Sequence, residues 1–269
     1  MKLGCNTVLF NQLDLYGALQ HIAWAGYTGA ELCHQEEWAR HVELNTNQSY
    51  IDEVKSIARK HGLELFAIQV GFGPQRNEEK FKLMTKALDV ALKLSIPVVA
   101  TRAFGKADDK EATKEEFKFI GKLCEQAESR GIILAVKPHQ GASVYNTATV
   151  IQMLDEVKSS SLGVNLDPLH LTKGGDDPVE TVLKIGRRIV HTHFHDCPPP
   201  QKSPETPEQQ IPGRSKINWL KLLQNLKDVG YDKALDVHVI GAFLYPVSRQ
   251  MGIAAEAKGY LNKCLQELK

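Results

Sequence analysis

No stretch of this 269-residue chain approaches the roughly 20 consecutive apolar residues that a membrane-spanning helix needs. Its opening, MKLGCNTVLFNQLDLYG, has no signal-peptide core, because Asn6, Asn11, Gln12 and Asp14 interrupt it. Neither a membrane nor secretion is therefore expected. An excess of charge is missing too. Thirty-three basic and 32 acidic residues leave a formal charge of +1, so no long-range field is present to hold a polyanion, and nucleic acid is not the expected partner. The five cysteines, Cys5, Cys33, Cys124, Cys197 and Cys264, form no CxxC pair and are odd in number, which reads as free thiols in a reducing cytoplasm. No glycine-rich phosphate loop follows the first apolar run, so a doubly wound nucleotide-binding sheet is the weaker architecture and no nucleotide cofactor is expected.

What is present is an alternation of short apolar runs with amphipathic stretches. Strands are expected over residues 3–9, 29–33, 64–69, 97–102, 132–137, 162–167, 189–194 and 234–239. Several, such as PVVAT and ILAVK, are apolar without alternation, as strands buried on both faces must be. Between them, residues 50–61, 81–94 and 114–130 repeat apolar positions at helical spacing. Gly62, Gly131 and Gly230 stand where helices end, and Thr147 is the expected N-cap of a later helix. Eight strand–helix pairs without a break in composition predict one (β/α)₈ barrel domain over residues 1–269. One segment differs: 197–213, CPPPQKSPETPEQQIPG, holds six prolines. It is an irregular loop after the seventh strand, either a surface insertion or a lid over the site.

In such a barrel the C-terminal strand ends share one mouth. Those ends carry Glu31 and His34, Gln69, Arg102, Lys137 and His139, Asp167 and His170, His191, His193, His195 and Asp196, then Asp236 and His238. Imidazoles and a carboxylate converging from adjacent strands suit a divalent metal, zinc, manganese or iron; a metal-free polar network is the alternative. His191, His193 and His195 share a strand face, with His193 at the depth expected of a ligand. Asp167 suits ligation, and His170, across a turn, a catalytic or substrate-contacting role. Glu31 is a candidate acid/base. Arg102, His139, His195 and Arg214 are candidate substrate contacts, the arginines through bidentate pairing with an oxyanion. Cys33 and Cys197 lack a base and are bystanders.

The opening KLGCNTVLF, HIAWAGYTGAEL at 21–32, KPH at 137–139, LGVNLDPLHL at 162–171, DDPVETVLKIGRRIVHTHFHD at 176–196 and IPGRSKINWLKLLQNLKDVGYDKALDV at 211–237 resemble the xylose-isomerase-like barrel superfamily over essentially the whole chain. That group includes sugar isomerases and epimerases, inosose dehydratases and a zinc-cluster endonuclease type. The resemblance implies one divalent metal held by Glu, Asp, His and Glu from strands five to eight. Asp167 and His193 match; Lys137 and His238 stand where the two glutamates would be. His238 can still ligate, giving an expected set of Asp167, His193 and His238. Lys137 cannot ligate as an ammonium. It becomes a candidate general acid or base, or a salt-bridge partner that replaces the metal at Asp167. The implied activity is proton abstraction beside a carbonyl of a small sugar or cyclitol, with elimination fitting better than epimerisation. Phosphodiester hydrolysis and a non-catalytic sugar-binding barrel are the alternatives. A homo-oligomer stays open.

Overall fold

A computed structural model describes residues 1–36, 39–71, 78–198 and 203–268. Eight strands alternate with helices. They are β1 (Lys2–Asn6), β2 (Gly29–Gln35), β3 (Glu64–Gly71), β4 (Val98–Arg102), β5 (Ile133–Lys137), β6 (Leu162–Leu166), β7 (Ile189–Phe194) and β8 (Ala234–Val237). Each pairs in parallel with the next, and β8 and β2 both pair with β1, which closes the ring. The one antiparallel addition is Ala39–Arg40 against the end of β2. The expected (β/α)₈ barrel is therefore observed.

The helices are α1 (Leu15–Trp24), α2 (Gln48–Lys60), α3 (Glu78–Leu94), α4 (Lys110–Glu128), α5 (Thr147–Glu156), α6 (Pro168–Lys173), α7 (Pro178–Ile185), α8 (Trp219–Asp228) and α9 (Val247–Glu267). Local chemistry sets their ends. Asn47 accepts from the Tyr50 amide to start α2, and Ile51, Val54 and Ala58 form its buried stripe, the isoleucine and the valine each worth about 1.5–3 kcal/mol when fully buried. Gly62, Gly131 and Gly230 all adopt positive φ, as expected. Two boundaries differ from expectation. The first strand stops at Asn6, not residue 9, because the Asn6 side chain accepts from the Val8 amide and turns Thr7–Phe10 into a 3-10 helix. The cap of α5 is Asn146, whose side chain accepts from the Thr149 amide. Thr147 is instead the first helical residue, and its hydroxyl bonds that of Thr181 on α7 at 2.7 Å.

The lower barrel is filled by an aromatic ring. Phe66 is skipped in the pairing of β2 with β3, and a Cβ at either Gly4 or Gly29 would collide with its ring. Glycine at those two positions is what admits the phenyl. With this end packed, the polar side chains of the strand ends are left to the opposite, C-terminal face.

Candidate active site

Two polar groups lie one above the other along β7. His191 and His193 point inward and His195 follows the strand's last residue; a step of two residues lifts a side chain by about 6–7 Å. The lower group centres on Glu31, from β2, which is wholly buried. It accepts from His191 Nε2 at 3.0 Å, His193 Nε2 at 2.7 Å and Asn6 Nδ2 at 2.5 Å. Burial alone would raise the Glu31 pKa, but His193 and His191 overcome it and hold the carboxyl well below the usual range. Burial would lower His191; Glu31 reverses this and raises it. His193, buried and with a weaker balance, drops to about 4. Asp236 sits 3.6 Å from His191 Nε2, and neither of its oxygens has a hydrogen-bond partner among the described residues. Burial pushes it up to about 8, with His191 opposing and Glu31 assisting. Its acid is thus kept neutral.

The upper group centres on Asp167, at the end of β6, also wholly buried. The His195 Nε2 donates to both its oxygens, at 3.0 and 2.9 Å. Lys137 Nζ lies 3.2 Å from Oδ2 and His170 Nε2 4.0 Å from it. The backbone amide of His170 donates to Oδ1 at 3.0 Å, so Asp167 also caps α6. Burial opposes ionisation, but His195, His170 and Lys137 together hold the Asp167 pKa well below normal. His170 is pushed well below the usual imidazole value, by burial first. His139 falls to about 4, through burial and then Lys137 and Arg102. Its ring lies against that of His170, centroids 4.1 Å apart and planes tilted by 33°.

His139, His170 and His195 line a cavity of about 790 Å³ at the barrel mouth. Its far wall comes from residues 203–207 of the proline-rich segment and from the turn after β8. Residues 199–202 of that segment lie outside the described residues, so the surface-insertion and lid readings rest on its remainder, which forms a wall of the cavity. A neighbouring hollow of about 660 Å³ carries none of these histidines.

Of the expected site residues, His139, His170 and His195 line the cavity, with Asp167 and Lys137 buried behind them. Arg102 sits at the same mouth, pairing in register with Lys137 and with its guanidinium 3.9 Å from the Phe104 ring centroid. Glu31 is enclosed below and does not line the cavity. His34 bonds the Val42 carbonyl at 2.7 Å. Arg214 pairs with Glu256 on α9, at the half-exposed surface. The five cysteines are free, Cys33 with its thiol raised by burial. Asp196 was readable only as one more mouth carboxylate. It is in fact an anchor: its Oδ2 accepts from the amides of Gly213, Arg214 and Ser215 and from the Trp219 indole, all within 3.1 Å. The signal that could have found it is its place at the start of the proline-rich loop, which needs a tie where it leaves the strand.

The metal donors group differently from the expected set. Asp167, His193 and His238 are spread over both levels: His193 Nε2 is bonded to Glu31, and His238 Nε2 lies 3.2 Å from Gln69 Oε1 with its ring stacked on His193 at 4.2 Å. Among the described residues the expected set does not converge as one group of ligand atoms; of the positions that correspond to the superfamily's four ligands, one carries an ammonium held at Asp167, while the Nδ1 atoms of His193 and His238 have no hydrogen-bond partner. Among the described residues two other triads could hold a metal ion, Glu31/His191/His193 and Asp167/His170/His195. Of these, the second faces the cavity.

The xylose isomerase-like TIM barrel model matches residues 19–261. The chain belongs to that family. An inosose isomerase of Halalkalibacterium halodurans is 22% identical over 94% of this chain and 93% of its own length. A D-psicose 3-epimerase of Enterocloster bolteae is 21% identical over 71% of this chain and 67% of its own. The match to an uncharacterised Methanocaldococcus jannaschii member spans 43% of that protein. Among solved family structures, a D-psicose 3-epimerase with D-tagatose from Clostridium cellulolyticum superposes with a TM-score of 0.80 at 16% identity, covering 98% of this chain and 99% of that one. A probable 3-DHS dehydratase from Bacillus anthracis gives 0.78 at 19%, covering 98% and 100%. Family relatives are thus named as sugar or cyclitol isomerases, epimerases and dehydratases. No described helix is long and apolar enough to cross a membrane.

Proposed function

We propose that the chain is an enzyme that moves a proton on the carbon beside a carbonyl of a small polyhydroxylated compound, a keto-sugar or an inosose-like cyclitol. One observation carries the reading: a buried Asp167, bound by Lys137 and His195, stands directly behind a mouth cavity floored by imidazoles. His170 is the proposed base. Burial keeps its ring neutral near pH 7, and an imidazole at the cavity wall can accept a proton. Lys137, fixed by Asp167, supplies positive charge for the oxygen on which negative charge develops. His195 holds Asp167 ionised and oriented, and His139 packs on the base. The polar groups come from β5, β6 and β7, one side of the mouth, which favours elimination over a two-faced epimerisation. The names of the relatives support the same substrate class. Five free thiols suit a reducing compartment.

A second reading has its own observation. Asp167, His170 and His195 converge closely enough to hold one divalent ion of the zinc, manganese or iron class. Such an ion would polarise the substrate carbonyl. Elemental analysis of the purified protein separates the two: stoichiometric metal, lost in Asp167→Ala and His195→Ala, favours the second. For the reaction itself, ketoses and inososes are incubated with the protein in D₂O and followed by NMR. Exchange or elimination beside the carbonyl, abolished in His170→Ala, is the expected result. Absence of turnover on every carbonyl polyol tested would leave a sugar-binding barrel without chemistry.

A further inference from the structure

The cavity is larger than the proposed reaction needs. Its volume of about 790 Å³ lies in the upper part of the roughly 300–1,000 Å³ range of small-molecule sites. A hexose has about a dozen non-hydrogen atoms. Even at the ~30 Å³ that a water molecule occupies in the liquid, it would fill about 360 Å³, under half the space.

The lining changes character across that space. The imidazoles of His139, His170 and His195 line one part; the segments after β7 and β8 bring the apolar Pro204, Pro207, Ile240 and Phe243, with Ser203, Glu205, Thr206 and Gln210 between them. Phe243 is 48% exposed and Ile240 38%, so the apolar part is still wet and gains by being covered. It is also a built wall. Gln210, itself buried, donates Nε2 to the Ile240 carbonyl at 2.8 Å and accepts from the Ile240 amide at 3.0 Å. Glu208 accepts from Tyr245 Oη at 3.0 Å and Arg249 Nε at 2.5 Å. Three of these bonds lock the two segments into one surface, and the fourth ties it to α9.

We infer that the natural substrate is a two-part molecule: a sugar or cyclitol ring that meets the histidines and carries a ring-sized apolar substituent, which lies on Phe243, Ile240, Pro204 and Pro207. The inference rests on the proton-transfer reading for its polar half only. Phe243 is then a specificity-determining residue that takes no part in the chemistry.

Titration calorimetry on the full chain with methyl β-D-glucopyranoside and phenyl β-D-glucopyranoside tests this without turnover. The phenyl glycoside is expected to bind at least tenfold more tightly. Phe243→Ala should erase that preference and leave the methyl glycoside unchanged, whereas Phe243→Trp should retain it. Equal affinity for the two glycosides, a preference indifferent to Phe243→Ala, or failure of both to bind would overturn the inference. The exchange experiment in D₂O, which uses unsubstituted ketoses and inososes, decides the proton-transfer reading independently of any of these results.

Discussion

The two carboxylates at the centre of this barrel have nearly the same company and different prospects. Glu31 and Asp167 are each fully buried, and each accepts from imidazole nitrogens of β7 or the residue just beyond it. What separates them is about two residues of strand. At the level of His191 and His193 the ring of strands is closed by Asn6, Asp236 and the Phe66 plug below. At the level of His195 the neighbours of Asp167 open on a cavity. The same residue types are sealed in at one level and stand directly behind an opening at the next.

The sharpest way to break the comparison is at the upper carboxylate. Asp167→Asn is expected to lower turnover by about 10³-fold or more, since it removes the charge that fixes Lys137 and His195; steady-state kinetics or the D₂O exchange rate measures it. Lys137→Met follows, with a loss of about 10²–10³-fold, the scale of removing one preorganised electrostatic donor. Full activity in that variant would take lysine out of the mechanism.

The lower carboxylate should behave oppositely. Glu31→Gln strips the partner from a His191 that the fold favours in its charged form, and is expected to cost about 3–5 kcal/mol in denaturant unfolding, with the rate per folded molecule changed far less than at Asp167. Asp236 sharpens the contrast through pH. Its carboxyl is raised from 3.8 to about 8 in the folded state. The unfolded chain therefore releases this proton from about pH 4 upward while the folded chain keeps it. This group's contribution to stability is fully present below pH 4 and declines as pH rises toward 8, at most about 1.4 kcal/mol per unit. Asp236→Asn should remove that slope, so its stabilising effect is larger at pH 8 than at pH 5 in thermal unfolding. The smallest effect is expected at Arg214→Ala, within about threefold in rate and about 1 kcal/mol in stability, because its partner is the exposed Glu256.

The barrel was legible because strands buried on both faces must be apolar without alternation, and PVVAT and ILAVK have no other home. Listing strand ends then brought Lys137, His139, Asp167, His170 and His195 to one mouth. Depth was not legible. A run such as HTHFHD fixes a shared face but not which imidazole meets which carboxylate, and that pairing depends on how Glu31 and Asp167 are staggered across the barrel. His193 was thus expected with Asp167 and is found with Glu31. Nor could spacing tell that Arg214 would turn to α9, or that Asn146 and not its neighbour would cap α5, since both residues are competent and only the observed backbone decides between them.

The tie at Asp196 has a consequence for how this barrel can change. Its backbone amide donates to the Gln210 carbonyl and its carboxylate receives the amides of 213–215, so the chain leaves the barrel and rejoins it at one residue. Glu208 and Gln210 hold the returning end to the segment after β8, and what precedes them is the insert. Its length and composition can drift, and with them the shape of molecule admitted, while the histidines a few ångströms away keep their places.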